Sequence, residues 1–178
     1  MDYSVDECKR CEDLVENRSR IVNGVGDGSA DVMFVGEAPG KKEDQDGEPF
    51  VGRSGSLLDE LLDKHGLNRE EIRITNTVRC RPPDNRNPYV GEIDNCSGYL
   101  EREIEEVEPK VVSPLGMVAT ENLLGEKVKM GEVQGERYVR EGYVLIPCYH
   151  PAAVLYDRSK EEDLDETMEK ICNEADDC

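Results

Sequence analysis

Glu37, Asn76 and His150 are polar residues that each stand at the end of a short apolar or alternating run: DVMFVGEAPG at 31–40, IRITNTV at 72–78 and YVLIPCYHP at 143–151. A carboxylate accepts hydrogen bonds, a carboxamide both donates and accepts, and an imidazole titrates near neutral pH. Together they can grip and polarise a polar ligand. Phe50 adds an aromatic ring to an otherwise polar loop, between Pro49 and Gly52. Singly each has an ordinary explanation: Asn76 bonding the turn after its strand, Phe50 anchoring its loop, His150 capping a helix. Only a shared location turns them into a site.

Sulfur makes a second set. Cys8-x2-Cys11 pairs two thiols at close spacing, Cys80 lies in a loop rich in Pro and Arg, and Cys96 follows on the next helix. Four thiolates in two pairs suit either a tetrahedral zinc ion or a [4Fe–4S] cluster, and spacing alone leans towards zinc. Buried, unligated thiols are the plain alternative. Cys148 reads as core, while Cys172 and Cys178 show no such grouping.

The elements that must carry these residues follow from periodicity. Residues 32–35 form an apolar run that reads as a strand buried on both faces, broken by Gly36, Pro39 and Gly40. Residues 72–78, 110–115 and 143–147 supply three more core strands, the last as part of a strand pair within 137–147. Helices are expected over 6–18, with Cys8 and Cys11 one turn apart; after Ser56 as cap, up to Gly66; over 91–107; and over 117–124, closed by Gly125. Asn23 to Ala30 reads as a Gly-rich loop. Strands alternating with helices predict an α/β fold, a three-layer α/β/α sandwich around a four-stranded, mainly parallel sheet. Such a sheet delivers Glu37, Asn76, Gly116 and His150 to its carboxyl rim, where open α/β sheets bind ligands.

With 178 residues the chain is expected to be a single domain over 1–178, with an acidic C-terminal stretch at 157–178. In that stretch Ser159 and Glu162 form a capping-box pattern, and Leu164, Met168, Ile171 and Cys172 share a helical face that can dock. No signal peptide or membrane-length apolar run occurs, so the sequence reads as cytoplasmic, where seven cysteines favour metal ligation over disulfides. Net charge is −19, with 41 acidic against 22 basic residues. At face value this disfavours a polyanionic partner. Acid spread along the whole chain, Arg exceeding Lys and scarce Phe fit instead a cytosol of very high salt, in which repulsion from phosphate is screened.

Taken in order, CxxC at Cys8 and Cys11, GEAPG at 36–40, GEPFVGRSG at 47–55, NTVRCRPPDNRNP at 76–88, Cys96 and HPAAVL at 150–155 resemble the family 4, iron–sulfur branch of the uracil-DNA glycosylases. The resemblance covers nearly the whole chain up to Leu155. It implies the uracil-DNA glycosylase fold, a base-flipping hydrolase that removes uracil from single- and double-stranded DNA, and a [4Fe–4S] cluster on Cys8, Cys11, Cys80 and Cys96, replacing zinc. It implies roles as well. The Glu37 carboxylate positions water; His150 stabilises charge developing on the departing base; Asn76 reads the uracil edge; the backbone at Glu37 and Ala38 touches the base, and Phe50 stacks on it. Glu43 matches the family position that crowds the thymine methyl. Arg79, Arg81 and Arg86 are the candidate phosphate contacts and Leu155 the candidate wedge. The family commonly has Arg after HPxxxL, where this chain has Tyr156. A monomer recruited by a polymerase sliding clamp fits repair proteins of this type. Competing readings are a relative that removes hypoxanthine or another deaminated base, and a non-enzymatic iron–sulfur protein that binds nucleic acid or carries electrons.

Overall fold

The structure, a computed structural model, describes residues 3–176. In chain order the elements are α1 (Glu12–Asn17), β1 (Val25–Gly26), β2 (Val32–Gly36), α2 (Lys41–Asp46), α3 (Arg53–Lys64), β3 (Arg73–Asn76), a 3-10 turn (Pro83–Asn85), α4 (Val90–Val107), β4 (Val111–Pro114), α5 (Met117–Leu124), α6 (Met130–Val133), β5 (Tyr138–Val139), β6 (Val144–Leu145), α7 (Ala153–Tyr156) and α8 (Lys160–Ala175).

The sheet has six strands, in the order β1-β3-β2-β4-β6-β5. Its four central strands are parallel and are those expected from the sequence; β1 and β5 add antiparallel edges of two residues each. The expectation of four strands therefore falls short by these edges. β1 lies within the Gly-rich stretch, because its pairing to β3 uses only backbone, Val25 against Ile74 and Gly26 against Arg73. A side-chain pattern carries no trace of such a strand.

β2 is buried along its whole length, and its side chains alternate between two cores. Val32 and Phe34 pack with Leu58 and Leu62 of α3 and with Met168 and Ile171 of α8. On the other face Met33 and Val35 pack with Leu100 and Ile104 of α4 and with Ala119 of α5. Each such side chain contributes roughly 1.5–3 kcal/mol of burial. The result is the three-layer arrangement, and it explains why the acidic terminal helix docks: Leu164, Met168, Ile171 and Cys172 are buried as one stripe.

Three local expectations are corrected. The first helix spans Glu12–Asn17 with Cys11 at its cap, so Cys8 lies before it in irregular chain. Long-range bonds hold that chain open: Val5 N–H donates to Asn23 Oδ1, and Cys8 C=O accepts from Arg18 Nη2 at 2.7 Å. Ser56 sits inside α3, whose N-cap is Gly52. Ser159 makes no cap bond to Glu162; its own N–H and hydroxyl both donate to Asp157 Oδ1. The glycine stops hold, with Gly66 and Gly125 in the left-handed region just after α3 and α5.

Candidate active site

Gly36 ends β2, and the chain leaves the sheet through Glu37 and Ala38. The strand beside it fixes that exit. Thr77 donates from both N–H and Oγ1 to Gly36 C=O, each at 2.8 Å, and Val78 N–H donates to Glu37 C=O at 3.0 Å. Asn76 is thereby held alongside Glu37. A Cβ on Gly36 would overlap Asn76 Oδ1 and the Phe50 ring, so the lack of a side chain is what lets these two groups approach. From the far side of the sheet, Cys148 N–H donates to Pro114 C=O and extends the β4–β6 pairing to within two residues of His150.

These ends enclose a cleft of about 240 Å³ lined by Glu37, Ala38, Gly40, Glu43, Phe50, Ser54, Asn76 and His150. It is smaller than the roughly 300–1,000 Å³ of sites for drug-sized ligands, and so suits one small ring. Every catalytic and base-binding residue named from the sequence lines it. Gly40 and Ser54 were not foreseen. Ser54 lies on the first turn of α3, and a serine in a Gly-rich loop offers no pattern to find it by.

The polar groups differ in how far the protein engages them. Asn76 is 3% exposed, and among the described residues no hydrogen bond engages its side-chain amide. The amide borders the cleft, so a donor and an acceptor stand open there. His150 Nδ1 accepts from Ala152 N–H at 3.2 Å, which leaves Nε2 to carry the proton of the neutral ring. Burial pushes its pKa down, so that ring is neutral at pH 7; burial likewise pushes the Glu37 carboxyl up. Phe50 is not the exposed loop aromatic that the sequence implied. It is 6% exposed, belongs to the core that backs α3, and stacks with the His150 ring at 5.9 Å between centroids. Its backbone is left-handed, φ 54°, and a Cβ on Gly55 would overlap its carbonyl, so the loop is pressed against the start of α3.

Glu43 lines the cleft, but both its oxygens are engaged: Oε2 accepts from Gly40 N–H and Oε1 from Gly52 N–H, each at 3.1 Å. It buckles together the loops on either side of α2. The sequence expectation of crowding the thymine methyl names no such bracing, which only the fold shows.

The arginines divide. Arg79 is a correction: it is 2% exposed, and its guanidinium donates to Glu103, to Asn23 Oδ1 and to the carbonyls of Tyr3 and Tyr99. Glu103 is fully buried and takes Arg73 Nε and Thr75 Oγ1 as well, both at 2.8 Å. A phosphate cannot reach Arg79. Arg86 is half-buried, forked onto Glu92 at 2.7 and 3.1 Å, with its guanidinium 3.7 Å from the Tyr89 ring centre. Arg81 bonds Asn85 Oδ1 in the exposed loop. Leu155 is 41% exposed on α7, the short helix that begins three residues after His150.

The uracil DNA glycosylase superfamily model matches residues 23–175. Curated relatives include the type-4 uracil-DNA glycosylases of Archaeoglobus fulgidus, 41% identical over 92% of this chain and 86% of the relative, and of Sulfurisphaera tokodaii, 42% identical over 94% and 80%. This chain belongs to the type-4 uracil-DNA glycosylases. A type-5 uracil-DNA glycosylase of Pyrobaculum aerophilum is 33% identical over 82% of this chain and 78% of its own length.

In this type-4 glycosylase the four cysteines gather in one lobe. Cys80 and Cys96 are buried with Leu14 and Val78, and Cys11 packs against them; burial, with smaller contributions from the nearby Cys8 and Cys11, pushes the Cys80 thiol up. Cys8, Cys11, Cys80 and Cys96 are all free of disulfides. Arg18 donates to Cys80 Sγ at 3.1 Å, and Asn95 Nδ2 to Cys11 Sγ at 3.5 Å. Among the described residues no group of three or more His, Cys, Asp or Glu is near enough to share one metal ion. Cys148 is fully buried and its thiol is pushed up to about 12, the behaviour of a core residue. Cys178 lies outside the described residues. No helix among those residues is long and apolar enough to cross a membrane.

Proposed function

We propose that the cleft hydrolyses the N-glycosidic bond between uracil and deoxyribose in single- and double-stranded DNA, acting on a base flipped out of the helix. As that bond breaks, positive charge grows on the sugar and negative charge on the base. The Glu37 carboxylate, in its ionised form, holds the attacking water and faces the cationic sugar. His150, neutral, donates from Nε2–H to the uracil oxygen that gathers charge, which no imidazolium is needed to do. The Asn76 amide donates to O4 and accepts from N3–H, a pattern that cytosine inverts. Phe50 stacks on the ring, and the backbone at Ala38 borders it. Arg81 meets phosphate, and Leu155 fills the gap in the base stack.

One observation carries this reading: a nearly buried amide with no protein partner, in a ring-sized cleft beside a histidine whose tautomer is set. The test is Asn76→Asp. A carboxylate cannot donate to O4, so uracil release from an oligonucleotide is expected to fall on the order of 10²- to 10³-fold. Release at the wild-type rate, or a wild type that removes hypoxanthine in preference to uracil, would overturn it.

The sulfur lobe supports a [4Fe–4S] cluster on Cys8, Cys11, Cys80 and Cys96. Four unpaired thiols in an apolar setting, with Arg18 and Asn95 donating to sulfur, suit a charged cluster. In such a cluster each of the four thiolates takes its own iron, and donors to sulfur tune its charge. The cluster would tie the N-terminal segment to the Cys80 loop and to α4, a structural use. Within the same proposal residues 1–178 act as one cytoplasmic domain in high salt. The chain works as a monomer, since both sheet edges are two residues long and offer little to pair with. A polymerase sliding clamp as recruiting partner rests on the repair role alone. Gel filtration and clamp pull-down in molar KCl test these points.

A further inference from the structure

Most tyrosines of this chain are partly buried or carry a cation over the ring, Tyr89 being 58% exposed but engaged by Arg86. Arg73 lies 4.6 Å from the centre of the Tyr3 ring, Arg86 3.7 Å from Tyr89, Arg10 4.6 Å from Tyr99 and Lys160 5.0 Å from Tyr149. Tyr138 and Tyr143 are partly buried. Tyr156 is 91% exposed, and among the described residues no hydrogen bond, ion pair or ring contact engages its side chain. Its position is not arbitrary. Ala153 N–H donates to His150 C=O at 2.8 Å, which seats α7 directly on the cleft histidine, and Tyr156 ends that helix beside the exposed Leu155. Across the same histidine, Gly116 approaches the His150 side chain, and the next residue, Met117, is 50% exposed.

The charge balance says why an aromatic belongs there. A chain of net charge −19 has Arg79 buried on Glu103 and Arg86 forked onto Glu92, so two of three candidate phosphate contacts are neutralised by carboxylates. Ionic attraction to DNA also fades as salt rises. Stacking on a nucleobase does not depend on counterion release, and every base presents a π-face.

We infer that Tyr156 is a stacking platform for a nucleobase flanking the excised uracil, supplying salt-insensitive grip where an ionic clamp would fail. The inference rests on the proposed glycosylase reaction. Its test is binding and single-turnover excision on uracil duplexes carrying 2-aminopurine beside or opposite the uracil, titrated with KCl from low to molar. Tyr156→Ala is expected to weaken binding roughly 5- to 100-fold by the same factor at every salt, and to lose the quenching of 2-aminopurine. Tyr156→Phe is expected to retain both. Tyr156→Arg is expected to steepen the slope of log K against log [KCl] by about 0.9. Unchanged binding and quenching in Tyr156→Ala, or a loss confined to low salt, would overturn the platform while leaving the glycosylase intact. A wild type that releases no uracil would remove both.

Discussion

Glu37 and His150 are pushed in opposite directions by one cause. Burial disfavours whichever form is charged, so the carboxyl pKa rises and the imidazolium pKa falls, each shifted towards the neutral form. The proposed chemistry wants the histidine neutral and the carboxylate charged, so the site works with one preference and against the other. Working against it costs stability: a raised native pKa favours the fold at pH below the ordinary carboxylate range and loses that benefit as pH climbs through the raised value. Glu37→Gln is therefore expected to melt at higher temperature than wild type at neutral pH, with the gap closing in acid. Uracil release is expected to drop by orders of magnitude and to lose the acid limb of its pH profile. A variant no more stable at neutral pH would show that the carboxylate is not penalised there.

At the scale of elements, the feature least expected is the knot around Glu103. This carboxylate on α4 joins Arg73 and Thr75 of β3 to Arg79 in the following loop, and Gly24 makes room, since a Cβ there would overlap Glu103 Oε1. Arg79 also ties in Asn23 and Tyr3 of the N-terminal segment. Removing the shared acid leaves two buried guanidinium groups without their counter-charge. Glu103→Gln is expected to lose about 3–5 kcal/mol of stability, read by denaturant unfolding, because stranding buried charges is far costlier than losing a surface pair. A loss under about 1 kcal/mol would show that water or other groups repair the site. The knot sits directly behind the Cys80 loop, so its failure is also expected to loosen the sulfur lobe.

For the whole molecule, the acidic surface and the sulfur lobe set the conditions of function. The N-terminal segment is bound to the rest through Arg18, Asn17 and Asn95, side chains grouped around the cysteines. If a cluster completes that lobe, Cys80→Ser is expected to lose visible absorbance and iron, and to lower Tm, with uracil release falling only as the fold fails. Stoichiometric zinc with no visible absorbance in the wild type would overturn the cluster.

The sequence by itself determined the parallel strands, the residues at their carboxyl ends and the docked face of the last helix. Apolar runs cut by Gly and Pro, and a 3.6-residue stripe, are local signals that tertiary contacts only reinforce. It also marked Phe50 as out of place, though not that its ring is buried. The tertiary structure alone decided the fates of the charged and short-range groups. Arg79 reads as a surface cation until Glu103, 24 residues away, is seen to bury it. Glu43 reads as a residue of the cleft alone, and only the fold shows that its oxygens also brace Gly40 and Gly52. Cys8 reads as helical until Arg18 and Asn23 are seen engaging the backbone of its segment, which lies outside the helix. The reason is common to all three. A charged or polar group takes its role from the partner that satisfies it, and spacing along the chain does not name a partner across space.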